Sequence, residues 1–293
     1  MRSTALGDKA TMNMLRRMGV VLPIVLGLTF LASAQQLYIS NEGQSNLQIL
    51  NIATSQLTTL YEIGGKPDDM TLNAQGQLIY TVPAAGTVNL WDPTTKVNTT
   101  LASGLTWARD LEIEPGGQTM LIGIYSPGEI VRYNFATKTT TTLIKKLGAC
   151  DGVTYDPYGN LYAVANHNTI IQINPTTGAI LNTLVLEPHK GVNGGDGLTY
   201  DSFSGSLWAT HDGTTGEGLL QIPVSQSGFT SAGFTFYPQP ALSSPDGIKS
   251  DGKGNLYIGA VWNAAVYNIP TNKITYNVVT KGADGVSLVP GTY

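Results

Sequence analysis

Six aspartates recur along the chain, Asp69, Asp110, Asp151, Asp196, Asp246 and Asp284, at intervals of 41, 41, 45, 50 and 38 residues. Each opens an alternating apolar stretch, and four are followed directly by glycine. A repeat protein with one carboxylate per unit gathers those carboxylates in one place. Their mutual repulsion must then be relieved by protonation, by backbone N–H donors or by a cation. An Asp-Gly pair also has a plain structural use, in which the side chain accepts backbone N–H bonds in a turn and glycine supplies permissive dihedrals. Asp156, Asp201 and Asp251, which precede hairpin glycines, read as turn residues of that kind. For the six, the chemical alternative is that a subset holds a hard divalent cation such as Ca²⁺, with carbonyls and waters completing its shell.

The other reactive side chains are few. His211 stands beside Asp212 and is the general-base candidate, because a carboxylate partner raises imidazole basicity. Glu42, His167 and Trp262 fall just after a predicted second strand, and Trp107, Arg109, Cys150 and His189 just before a predicted first strand. Cys150 reads as a small core residue beside the channel rather than a nucleophile. Phosphate-loop, Cys-x-x-Cys, His-Glu-x-x-His and Gly-x-Ser-x-Gly elements are missing, so nucleotide, zinc-protease and serine-hydrolase chemistry lack support.

These residues sit on a repeated scaffold. After each aspartate the first strand runs through a Gly-containing turn into a second, as in Gly76 to Tyr80, Gly159 to Tyr162 and Gly254 to Tyr257. A third strand such as Thr87 to Trp91 follows, then a Pro-Thr-Thr-like turn and a Thr-rich fourth strand. Four strands in about 40 residues is the period of a propeller blade. The last repeat stops after one strand, while Gln36 to Ser40 resembles the second strand Asn255 to Gly259. The expected fold is therefore an all-β propeller of six blades, the last closed by a C-terminal inner strand and three N-terminal strands. In that geometry the aspartates ring the channel mouth at one level, and the loops carrying the histidines share its face.

Residues 1–34 read as a signal peptide, with Arg16 and Arg17, an apolar run from Gly19 to Leu31, and Ala32-Ser33-Ala34 as cleavage site. Residues 35–293 form the propeller domain, expected to be secreted or periplasmic, monomeric and off the membrane once cleaved. The formal net charge of -4, without a basic cluster, argues against a nucleic-acid partner. With one cysteine, no internal disulfide supports the fold.

The segment Ser244-Pro245-Asp246-Gly247 through Tyr257-Ile258 resembles the Pro-Asp-Gly blade signature of the gluconolactonase and regucalcin family, and Asp151 to Tyr162 and Asp196 to Trp208 repeat it more loosely. NHL-repeat propellers share the motif. The resemblance implies a divalent cation, often Ca²⁺, at the channel mouth. It puts that family's Asp at Asp246, its Asn at Asp196, its Glu at Asp69, and a further Asn that contacts metal-bound water or substrate at Asp151. The expected activity is cation-dependent hydrolysis of a lactone or related ester, with Asp196 or Asp246 activating water. Trp107, Arg109, His167, Trp262 and Glu42 are the expected substrate contacts. Two alternatives stand beside it. One is a non-catalytic propeller binding a carbohydrate or peptide through Trp107 and Trp262; the other is a lyase on a sugar-derived substrate with His211 or His167 as base.

Overall fold

In each repeat, alternating apolar residues form short strands and Asx turns reverse the chain. Asp156 accepts hydrogen bonds from the backbone N–H of Tyr158 and Asn160, and Asp251 does the same for Lys253 and Asn255. Between third and fourth strands the same device recurs at Asp92, Asn134 and Asn174. The computed structural model describes residues 35–186, 195–212, 216–229 and 233–293. The expected signal peptide, residues 1–34, and His189 lie outside the described residues.

The strands assemble into six antiparallel sheets arranged in a ring. Blade 1 comprises Met70–Leu72, Leu78–Val82, Thr87–Trp91 and Asn98–Ala102. Blade 2 comprises Ala108–Ile113, Thr119–Ile124, Glu129–Asn134 and Thr139–Lys145. Blade 3 comprises Cys150–Tyr155, Leu161–Ala165, Thr169–Ile173 and Ile180–Val185. Blade 4 comprises Gly195–Asp201, Ser206–His211, Gly218–Ser225 and Thr235–Pro238, and Gly228–Phe229 adds a short hairpin. Blade 5 comprises Pro245–Ser250, Asn255–Ala260, Asn263–Asn268 and Lys273–Val279. The closing blade takes its inner strand, Ala283–Leu288, from the C-terminus and Gln36–Asn41, Asn46–Asn51 and Gln56–Glu62 from the N-terminus. Leu37 pairs with Leu288, Tyr38 with Ser287 and Ile39 with Val286, as the split repeat required. Closure gives the lone C-terminal strand Ala283–Leu288 a partner in Gln36–Asn41, so it is not left as an isolated strand.

Apolar side chains fill the wedges between blades. Tyr162 and Val164 of blade 3 pack against Leu198, Leu207 and Phe229 of blade 4, and Leu37 and Ile39 of the closing blade pack against Tyr257 and Val266 of blade 5. Because every core is shared by two neighbours, no blade buries its apolar faces alone.

Candidate functional site

The inner strands carry a bulge at the channel mouth. In blades 2, 3, 4, 5 and the closing blade, two inner-strand residues oppose one on the second strand: between Ala108 and Leu111, Cys150 and Val153, Gly195 and Leu198, Pro245 and Ile248, and opposite Ser40. The first residue of each bulged pair is Arg109, Asp151, Asp196, Asp246 or Asp284, and Asp68 takes that place in blade 1. A second set of contacts fixes the same register. Hydroxyls on the second strands donate to the next blade's carbonyl at this position: Ser40 to Asp68, Thr81 to Arg109 (3.1 Å) and Thr210 to Asp246 (2.6 Å).

This corrects the ring expected from sequence. Asp68, Arg109, Asp151, Asp196, Asp246 and Asp284 share the first bulge position, while Asp69 and Asp110 sit one residue further on, where other blades have glycine; Asp69 and Asp110 still line the same enclosed space as Asp68, Asp151, Asp196 and Asp246. That second position faces the next blade. A Cβ on Gly152 would lie 2.6 Å from the Asp196 carbonyl oxygen, and one on Gly247 would lie 2.7 Å from that of Asp284. None of Gly152, Gly197, Gly247 and Gly285 has a positive φ, so these glycines serve close approach and not turn dihedrals. Asp69 and Asp110 use the position differently, reaching across to accept the backbone N–H of Leu111 (3.0 Å) and of Val153.

The carboxylates fall into two groups around two cations. Arg109 faces Asp68 (3.6 Å) and Asp151 (3.8 Å) at the mouth. Lys249 lies 3.9 Å from Asp69 and also interacts with Asp110 and Glu112. Acid outnumbers base in both groups, and burial raises the carboxyls of Asp68, Asp110, Asp151 and Glu112. Glu112 is pushed up to about 7. Asp151 is likewise pushed up to about 7 by burial, with Arg109 opposing and Asp246 adding to the shift. Asp68 and Asp196 are raised by burial and then by Asp246. Asp246 is raised chiefly by burial, and a hydrogen bond with Asp284 partly offsets the shift.

Asp151 stands apart. Its side chain is 5 % exposed, yet neither carboxylate oxygen accepts a hydrogen bond, and buried polar groups seldom go unsatisfied without a reason. His167 Nδ1 lies 3.5 Å from its Oδ2, and Asp151, His167 and Asp196 each offer a donor atom within 4.8 Å of the others. The enclosed space at the mouth is about 10 Å³, enough for a single water-sized occupant.

His167 Nε2 is 3.1 Å from the hydroxyl of Tyr125, whose ring stacks under the Arg109 guanidinium at 4.5 Å. Tyr125 follows the second strand of blade 2, in the loop that supplies His167 and Trp262 in other blades, so the sequence offered a signal for it. Beside the mouth a cleft of about 250 Å³ is lined by Glu42, Lys66, Trp107 and Arg109 among others, and it shares Asp68 and Arg109 with the channel. Three of the expected substrate contacts therefore meet there. Trp262, 61 % exposed, lines neither space.

His211 is corrected outright. It ends the second strand of blade 4 with 0 % exposure, its ring edge-on to Phe236 at 5.1 Å. An imidazole sealed in the core cannot act on a substrate arriving from solvent, so the base role fails. Cys150 is buried and reduced, as expected of a core residue, and burial pushes its thiol up.

The sequence matches no family profile and no curated protein. Solved structures share the fold. A chain of a nidogen/laminin complex superposes with a TM-score of 0.71 at 14% identity, covering 87% of this chain and 98% of its own. Virginiamycin B lyase from Staphylococcus aureus superposes with a TM-score of 0.60 at 15% identity, covering 85% of this chain and 84% of the lyase. A catalytically inactive variant of that lyase, solved with quinupristin, gives 0.62 at 15% identity over 89% and 94%. At such identities the likeness is one of fold.

Proposed function

We propose that the channel mouth is the active site of an exported, divalent-cation-dependent hydrolase acting on an ester or lactone bond. The observation that carries this reading is the Asp151 carboxylate, buried with both oxygens free of hydrogen bonds beside Asp196 and His167. Two carboxylates and an imidazole form a mixed oxygen and nitrogen donor set. Such a set suits Mn²⁺ or Zn²⁺ better than the Ca²⁺ expected from sequence, which prefers oxygen alone. Bound there, the cation would supply Lewis-acid polarisation of the substrate carbonyl.

The chain's own residues do the rest. Asp246, a mouth carboxylate whose affinity for a proton is raised by burial, accepts a proton from the attacking water. Trp107, 45 % exposed, and Arg109 form the wall and end of the cleft that holds the remainder of the substrate. A second reading, as a binding propeller, is favoured by the exposure of Trp107 and Trp262 on the mouth face; a fold neighbour comes from a complex with a protein partner. Proton abstraction by His167 is the chemistry of the lyase alternative at the same site.

One experiment sorts these. The purified protein is melted with chelator and with excess Mn²⁺, Zn²⁺ or Ca²⁺, then assayed on a panel of lactones and aryl esters. A rise in Tm with Mn²⁺ or Zn²⁺ together with hydrolysis supports the hydrolase. No rise with any divalent cation rejects it and leaves the binding module; a rise accompanied by an unsaturated elimination product favours the lyase.

A further inference from the structure

Tyr125 and His167 stand on adjacent blades with their ring centroids 5.3 Å apart. His167 has a φ of 59° and follows Asn166 at 50°, two consecutive left-handed residues without glycine. Such a backbone is costly and persists only where surrounding structure fixes it. Here the loop is pinned by the Asn166 N–H on the Ala149 carbonyl (2.9 Å) and the Gly195 N–H on the His167 carbonyl (2.6 Å). The result is an imidazole whose side chain is 42 % exposed but held at Nε2 by the Tyr125 hydroxyl, with Nδ1 3.5 Å from Asp151 Oδ2.

Tyr125 is itself fixed. Its N–H donates to the Trp107 carbonyl (2.9 Å), Arg109 covers its ring at 4.5 Å, and the Trp107 ring lies 6.5 Å away. Trp107 also has a left-handed backbone, with φ 64°. A tyrosine hydroxyl can accept as well as donate. When it accepts from Nε2–H, the lone pair of His167 stays on Nδ1, the nitrogen that faces Asp151 and Asp196. Fixing the outer nitrogen of a ligating histidine sets both its tautomer and its ring orientation.

We propose that Tyr125 is the positioning residue of the cation site, holding His167 through Nε2 so that Nδ1 is presented beside Asp151 and Asp196. The proposal rests on the cation-dependent reading of the mouth, but the hydrogen bond can be tested without any cation.

The test uses Tyr125→Phe, which keeps the ring under Arg109 and deletes the hydroxyl. In ¹⁵N-labelled metal-free protein, with the His167 signals identified by their loss in His167→Gln, Tyr125→Phe should move the Nε2 resonance. In Mn²⁺ titrations the same variant should bind tenfold or more weakly than wild type, with no further loss on adding His167→Gln. An unchanged Nε2 resonance overturns the positioning role whether or not the protein binds Mn²⁺. A moved resonance with unaltered Mn²⁺ affinity also overturns it, since the bond would then exist without serving the site. If wild type binds no Mn²⁺, the cation reading fails separately, and the proposal falls with it even where the resonance moves.

Discussion

Replacing Asp151 with asparagine should stabilise the metal-free protein and abolish its response to divalent cations. The magnitude follows from burial. Asp151 is 5 % exposed, and its carboxyl is pushed up from 3.8 to about 7. A folded-state value above the unfolded one favours the native state while the group is protonated. That stability is fully present below pH 3.8 and is lost as pH rises through about 7. The span is roughly three pH units, or ~4 kcal/mol at about 1.36 kcal/mol per unit. Asparagine keeps the shape and carries no such penalty, so its advantage over wild type should grow from pH 4 to pH 8 by roughly 10 °C in Tm, at about 2–4 °C per kcal/mol for a chain of this size. Thermal melts in chelator at pH 4, 5, 6, 7 and 8 measure this gap. At pH 8 with a hundredfold excess of cation over its Kd, wild type should recover ~2.7 kcal/mol and the variant nothing. A Tm gap that stays flat with pH would show that Asp151 is not a strained carboxylate. Equal stabilisation of both proteins by the cation would remove it from the donor set.

Asp69→Asn retains an acceptor for the Leu111 N–H, so divalent stabilisation should match wild type in the same melts; loss of the response would restore Asp69 as a ligand and refute the mouth register. Gly247→Ala places a Cβ 2.7 Å from the Asp284 carbonyl oxygen and 2.8 Å from the Gly285 Cα. Both neighbours are backbone and cannot swing aside, so urea denaturation should register a loss of about 1–3 kcal/mol, and a neutral result would mean the inner strands are not tightly apposed. Lys249→Met leaves Asp69, Asp110 and Glu112 without their cation and should cost about 3–5 kcal/mol at pH 8. The loss should shrink toward pH 5 as Glu112, already pushed up to about 7, takes a proton; a loss independent of pH would point to packing instead.

Much of this architecture was legible in the residues. Blade count and closure followed from the spacing of the aspartates and from the split between Gln36 to Ser40 and the C-terminal repeat, because strand alternation and turn residues act locally. The site was harder, and the reason is the bulge. In Asp68-Asp69 and Arg109-Asp110 a motif anchored on aspartate selects the second residue of the bulge, whereas in the other four blades it selects the first. Only pairing across the sheet, Leu111 opposite Ile122 for example, reveals the slip. His211 misled for a similar reason: it ends a buried strand while the next residue, Asp212, is exposed, and sequence does not resolve that boundary. The Tyr125 to His167 bond joins residues 42 apart on different blades, a contact no local pattern encodes.

The bulge also separates two demands that would otherwise collide. At its second residue the chain must pass within contact distance of the next blade, and only two solutions occur: glycine, as at 152, 197, 247 and 285, or an aspartate that bonds the neighbouring N–H, as at 69 and 110. At its first residue the second-strand hydroxyls, as at Ser40, Thr81 and Thr210, bind the backbone carbonyl and leave the side chain unconstrained. The ring can therefore exchange an aspartate for Arg109 at the mouth without disturbing closure, whereas an alanine one residue later would strain it. Mouth chemistry on this scaffold is thus free to change while its neighbour is fixed, and a shared propeller fold at 14–15% identity says little about what the mouth does.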